Sequence, residues 1–454
     1  MNWRPLFSLT LFILAAATFA AEDFVLPEFD DLPKSSQKVE SKAAVESNDD
    51  EVVPANFTPI EAGSTGIAKS AAVKSPANSA IASQAIESKP IPTELNRPIR
   101  VGVYTDAKEL YLIRGGEEIR ITATGKKLKF QGKENSMEVE AKEIYDEGTC
   151  IAIAPDKKSL KTACYPGYFS IAINKGKLNA INVVDMEDYI RGVIPYEIGK
   201  LDSSRFEALK AQAVAARTYA YKHFGSRESL GFDVFADTKD QVYKGLQSAT
   251  SLTDSAVKET AGEAMTYDGA FITAYYHSTC GGETEVMATW NKEDIPYLRS
   301  KPDLREDGTP WCNESSYSTW ERKYSDAEVQ KLVKENAGEV KAKIKDFTKV
   351  TDIVIRDTLP SGRILTMEVI TDKGSFEIIS DKTRWLFKNK GTILPSSFFR
   401  ISRDGDNWIL SGKGFGHGVG MCQMGVRARA QAGQKYDEIL KHYYTGITIQ
   451  RFEK

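Results

Sequence analysis

From Arg97 onward apolar and polar residues alternate, beginning with Ile99-Arg100-Val101-Gly102-Val103-Tyr104. The pattern continues through Leu110 to Ile113, Glu118 to Thr122, Lys127 to Phe130, Glu138 to Ala141 and Cys150 to Ala154. Runs of this period, separated by Gly- or Asp-rich turns, predict short β-strands with one buried face. Tyr168 to Ile173 and Leu178 to Val184 extend the series, with Asn174-Lys175-Gly176-Lys177 as a turn. Cys150 and Cys164 flank two runs joined through Pro155-Asp156-Lys157-Lys158. A disulfide closing that hairpin is expected, with two separate buried thiols as the alternative.

The period then changes. In RFEALKAQAVAARTYAYKHF, residues 205 to 224, Phe206, Leu209, Ala213, Ala216, Ala220 and Phe224 recur at steps of three and four, which predicts a core helix. Asp202, Ser203 and Ser204 supply N-caps and Gly225 a stop. Gln212 and Arg217 fall on the more polar side and could face a site. Asp326 to Asn336 and Tyr436 to Tyr444 read as shorter helices, and Val350 to Arg356, Ile364 to Thr371 and Phe376 to Ser380 as strands. Strands and helices mixed without regular βαβ alternation predict an α+β fold. The expected organisation is a β-rich module over 98–184 followed by a larger domain over 185–454, with no internal repeat.

Composition separates residues 22–97 from the rest. They contain no Trp, Tyr or Cys, are rich in Ala, Ser, Pro, Lys and Glu, and carry 13 acids against 7 bases. Such a segment cannot bury enough apolar surface to offset the entropy of ordering it, so a disordered tether is expected. Before it, Arg4, the apolar run Leu6 to Ala17 and the small-x-small site Thr18-Phe19-Ala20 read as a secretory signal over 1–21. The expected mature protein is exported, to the periplasm or the cell wall, with no transmembrane segment. Asn56-Phe57-Thr58 matches a glycosylation acceptor. The whole chain carries a net charge of −3, and with the acidic tether set aside the remainder is nearly neutral, with no Lys/Arg stripe of the kind that binds nucleic acid. Five cysteines leave at least one unpaired if all bridges are internal.

Four segments carry candidate chemistry. In EDYIRGVIPYEIG, Glu197 sits among Val193, Ile194, Tyr196 and Ile198, next to what reads as a tight turn at Arg191-Gly192. Poor hydration there would raise its pKa, as a general acid at neutral pH requires, although a cap or a pair with Arg191 would use the same residue. In DQVYKG, Gln241 and Tyr243 lie two apart and share one face of a strand, an amide and an aromatic suited to sugar. In YYHSTCGGETE, His277, Ser278 and Cys280 run into a Gly281-Gly282 turn. His277 and Cys280, with Cys312 and either Cys422 or Glu283, could ligate zinc; the competing reading is a Cys280–Cys312 disulfide. In GKGFGHGVGMCQMG, five alternate glycines surround His417, a pattern that brings backbone close to something and presents His417 and Gln423.

These motifs, with EALKAQAVAARTYA, PYLRS and ILKHYYTG, occur in the order found in the SpoIID/LytB family of lytic transglycosylases and amidase enhancers, which the chain resembles over roughly residues 98 to 454. The resemblance implies action on peptidoglycan glycan strands, with Glu197 at the position of the catalytic acid and His277 and His417 at site histidines. It implies a reaction that requires no cofactor, zinc at most being structural. It also implies either cleavage of denuded glycan between N-acetylmuramic acid and N-acetylglucosamine, or stimulation of an N-acetylmuramoyl-L-alanine amidase. Arg191, Arg217, Gln241, Tyr243, His277, Ser278, His417 and Gln423 are the expected substrate-binding residues. Where family members often carry a second His this chain has Glu283, and many carry Ser where it has Cys422.

Overall fold

The computed structural model describes residues 95, 97–140, 142–145, 150–340 and 346–452. The expected signal segment, almost all of the expected tether and Asn56-Phe57-Thr58 lie outside the described residues. The fold is α+β, with six sheets among the described residues and a buried Ala-rich helix.

The alternating region forms two five-stranded sheets. In the first, Ile99–Ala107 pairs parallel with Val234–Phe235 and antiparallel with Lys177–Val184, which continues to Tyr168–Asn174 and Lys142–Tyr145. The second runs in the order Ser136–Val139, Lys127–Gln131, Glu117–Thr124, Glu109–Arg114 and Ala152–Ala154. Cys150 and Cys164 form a disulfide, as expected. Between them the chain is not a simple hairpin. After Ala152–Ala154, Asp156 caps the short helix Lys157–Leu160, and Ile151 bridges back to Tyr165.

The alternate residues Ile99, Val101, Leu110, Leu112, Ile121 and Leu128 face one cluster that also holds Tyr189, Ile190, Val193, Ile194, Ala213, Ala216 and Ala220. Strands from 98–184 and helices beyond 185 therefore share a core. The Ala-rich helix, Phe206–Lys222, is buried along nearly its whole length. Alanine on all sides lets neighbours approach from every direction, which suits a helix at the centre of a domain.

The segment read as containing a tight turn is instead the helix Met186–Glu197, capped by Asp185. Pro195 lies in its last turn, and Ile198 N–H still reaches the Ile194 carbonyl. Gly192 serves packing, not a turn: a Cβ there would lie 2.4 Å from the Tyr243 ring. A further cluster around Trp408, Phe387 and Leu332 holds two three-stranded sheets, one built on Asn407–Gly412 and one on Ile364–Thr371, with the helix Asp326–Asn336. No helix among the described residues is long and apolar enough to cross a membrane.

Candidate active site

Glu197 ends the helix Met186–Glu197 and is partly exposed, though enclosed by protein on most sides. Its Oε1 accepts from Val242 N–H at 2.6 Å, and the Tyr276 and Gln423 side chains stand beside the carboxyl and favour its charged form. Burial dominates these contacts and pushes the carboxyl up to about 7. A group poised near neutrality can hand over a proton and take one back.

Two short strands position the partners. Tyr276–His277 pairs in parallel with Met421–Cys422, and Cys422 caps the helix Gln423–Gln431. This pairing brings Tyr276 and Gln423 to the same carboxyl. Behind them runs a buried polar network. Tyr189 Oη donates to Gln241 Oε1 at 3.0 Å, and Gln241 Nε2 donates to Tyr276 Oη at 3.0 Å and to the Ala216 carbonyl at 3.3 Å. Gln423 Nε2 donates to Gln212 Oε1 at 3.3 Å.

The glycine-rich loop approaches the chain's own backbone. Gly414, Gly416, Gly418 and Gly420 all have positive φ. A Cβ on Gly420 would lie 2.1 Å from the Tyr275 carbonyl oxygen, and one on Gly418 would lie 2.4 Å from the Arg363 guanidinium. The loop is thus packed against residues 275–282. His417 is buried in it: Nδ1 accepts from Val419 N–H at 3.0 Å, and the ring lies beside the Tyr276 backbone. Burial first, then Arg384 and Arg363, push its pKa down to about 3. His277 Nδ1 meets the Val419 carbonyl at 3.2 Å, and its pKa is lowered by burial, by His417 and by Arg363. Both rings are neutral near pH 7.

Several expected substrate contacts are corrected. Tyr243 is 1% exposed and donates to Asn182 Oδ1 at 2.7 Å, so it offers no stacking surface. Gln241 is buried in the network just described. Arg217, fully buried, pairs with Glu187 at 2.6 Å and bonds the Glu263 carbonyl. Arg191 pairs with Asp254 and Asp188, both at 2.8 Å. His417 is a backbone clamp. Ser278 is partly exposed, with its Oγ 3.1 Å from Thr279 Oγ1.

The cysteine expectations are corrected as well. Cys280 and Cys312 are free thiols with sulfurs 3.6 Å apart, not a disulfide. The third sulfur beside them is that of Cys422, and His277 stands outside the group. Glu283 is not part of it either; its carboxylate accepts from Ser300 Oγ at 2.7 Å.

Tyr276 was missed in the sequence. It lies inside YYHSTCGGETE, where the adjacent His drew attention, and two-residue periodicity would have set it on the opposite face from His277. The Val242 N–H, a backbone donor, carries no signal in a side-chain pattern.

Comparison with known proteins bears on the same segments. Residues 174–267 match the family described as Stage II sporulation protein, and residues 311–420 match a domain of unknown function, DUF8618. An uncharacterized protein of Brachyspira hyodysenteriae is 31% identical over 68% of this chain and 78% of its own length. The amidase enhancer of Bacillus subtilis is 33% identical over 58% of this chain, which spans only 40% of that longer protein. Stage II sporulation protein D of Bacillus amyloliquefaciens is 30% identical over 62% of this chain and 78% of its own length. The chain belongs to the SpoIID/LytB family.

Proposed function

We propose that the protein is an exported lytic transglycosylase that cuts peptidoglycan glycan strands between N-acetylmuramic acid and N-acetylglucosamine. Glu197 protonates the glycosidic oxygen as the bond to the anomeric carbon breaks. The same carboxylate then takes the proton of the muramyl 6-hydroxyl, whose oxygen attacks the anomeric carbon and closes the anhydro ring. No water is consumed and the proton count balances on one residue. The carrying observation is the Glu197 carboxyl held at about 7 mainly by burial, with no other carboxylate among the groups that raise it. Two-carboxylate hydrolases need a second acid across the bond, whereas an intramolecular nucleophile does not. Tyr276, Gln423 and Val242 N–H keep the carboxyl aimed through both proton transfers.

The Cys150–Cys164 disulfide supports export, because such bonds persist in oxidising compartments. The relative named amidase enhancer favours a second reading, in which the same site binds glycan and stimulates an N-acetylmuramoyl-L-alanine amidase. Digestion of denuded glycan strands separates the two. Anhydro-muramyl products seen by mass spectrometry, and lost in Glu197→Gln, support the enzyme. Intact strands, with faster hydrolysis when an amidase is added, support the enhancer.

A further inference from the structure

Three thiols from distant parts of the sequence meet in the core. Cys280, Cys312 and Cys422 are each 0% exposed, and their sulfurs all lie within 4.8 Å of one another. The Cys280 and Cys312 sulfurs are 3.6 Å apart. Three thiolates about one metal at bonds of about 2.3 Å in tetrahedral directions would be separated by about 3.8 Å. The observed spacing suits a single ion better than a multi-iron cluster.

The surroundings are arranged for sulfur that carries negative charge. Cys280 N–H points at Cys422 Sγ at 3.2 Å, Gly282 N–H at Cys280 Sγ at 3.4 Å and Gly425 N–H at Cys422 Sγ at 3.4 Å. Cys422 also caps the helix Gln423–Gln431, whose N-terminus favours an anion. A neutral thiol is a weak acceptor, so three backbone donors aimed at two sulfurs are of most use to thiolates. Arg363 lies beside the cluster. Its guanidinium is fully buried, donates to the carbonyls of Cys280 and Glu283 and to Ser361 Oγ, and among the described residues forms no direct ion pair. Its Nε has no partner. The buried Glu285 carboxylate, bonded to the same Ser361 hydroxyl, already supplies negative charge to this cation, and a metal bound by three thiolates beside the Cys280 carbonyl would add more.

Asp303 closes the outer shell. Its Oδ2 accepts from the Cys280 thiol at 3.3 Å and from Tyr443 Oη at 3.0 Å, while Oδ1 pairs with Arg429 at 2.8 Å. The carboxylate is thereby fixed beside the sulfurs.

We propose that Cys280, Cys312 and Cys422 bind one thiophilic closed-shell metal ion, zinc(II) or copper(I), as thiolates. Binding replaces the three thiol protons, which leave to solvent. The ion ties residues 280–282, which follow Tyr276, to residues 422–425, which contain Gln423, and so braces the two segments that hold Glu197. It also protects three thiols in a protein that elsewhere keeps a disulfide. This inference does not depend on the glycan chemistry.

The test uses tag-free full chain purified without chelator or reductant. Metal analysis should find about one equivalent of zinc or copper, the analysis itself naming which. A chromogenic thiol reagent in denaturant should count three thiols once the metal is chelated. Cobalt(II) added to metal-stripped protein should give the intense near-ultraviolet thiolate-to-cobalt charge-transfer band, and Cys312→Ser should weaken it. Should that variant fail to fold, stoichiometry and the cobalt spectrum of the wild type still decide. Metal-free protein that gives no cobalt–thiolate band, or a Cys280–Cys312 disulfide on peptide mapping, overturns the proposal.

Discussion

Replacing Glu197 with Gln should make the protein more stable at neutral pH while abolishing cleavage. Burial raises the carboxyl from an ordinary 4.5 to about 7, so the folded state holds this proton more tightly than the unfolded chain does. Below pH 4.5 both states are protonated and the residue contributes no pH-dependent term. Between 4.5 and 7 the unfolded chain ionises first, and folding is progressively penalised. Above 7 the penalty is complete and constant. Each tenfold change in proton affinity is worth about 1.4 kcal/mol, which puts the ceiling at about 3 kcal/mol. Gln does not ionise and escapes this cost, although its amide can disturb the bonds to Tyr276 and Gln423 by an amount that does not vary with pH.

The quantity to measure is therefore the difference in melting temperature between Glu197→Gln and wild type across about pH 4 to 8, by calorimetry. It should be flat at the acid end, rise between 4.5 and 7 and level off, with a total change of roughly 5 °C for a chain of this size. A difference that does not change with pH would refute the reasoning. So would one that shrinks as pH rises, since that is the signature of a carboxylate stabilised in its charged form. The same ionisation predicts that glycan cleavage falls as pH rises through about 7, because the acid must begin protonated.

Tyr276→Phe removes a bond that favours the charged carboxylate, so the basic limb of the pH–rate profile should move upward and turnover should fall about tenfold; an unmoved limb would place the hydroxyl outside the site. Arg217→Ala leaves Glu187 without its buried partner and should lower stability by about 3 kcal/mol in urea titration with KM unchanged; a raised KM with unchanged stability would return Arg217 to the substrate. Gly192→Ala drives a methyl into the Tyr243 ring and should cost about 1–3 kcal/mol, read from the denaturation midpoint.

Much of this architecture was legible because periodicity records burial. The alternation from Ile99 to Val184 and the spacing in residues 205 to 224 both follow from which side chains face the core, and the strands and the Ala-rich helix appeared where expected. Met186–Glu197 was misread because Gly192 and Pro195 are helix breakers by intrinsic preference. Here a close aromatic neighbour selects the glycine, and the proline falls in the last turn. The enclosure of Glu197 and its raised pKa were legible because a carboxyl among apolar residues is unusual. Partners joined only by tertiary structure were not. The meeting of Tyr276 with Gln423 needs a two-residue parallel pairing across 145 positions, and nothing local announces it.

Gln241 and Gln423, expected as sugar contacts, instead belong to a buried polar network that leads to the acid. Tyr189, Gln241 and Tyr276 form one hydrogen-bonded arm to Glu197, and Gln212 and Gln423 form the other. His417 ties the glycine loop to itself through Val419 N–H, beside the Tyr276 backbone. Buried amides and hydroxyls of this kind are expensive to leave unsatisfied, so the arm through Tyr189, Gln241 and Tyr276 specifies one geometry, while Gln212 Nε2 in the other arm has no partner. On the proposed mechanism the carboxyl gives a proton to a glycosidic oxygen and then takes one from a hydroxyl, and it gains from such constraint because reorientation between the two steps would add to the barrier. The effect of a substitution should then scale with its bonded distance from Glu197. Changes at Tyr276 or Gln423 act on the carboxyl directly, those at Gln241 or Gln212 act through one intermediate, and those at Tyr189 act through two.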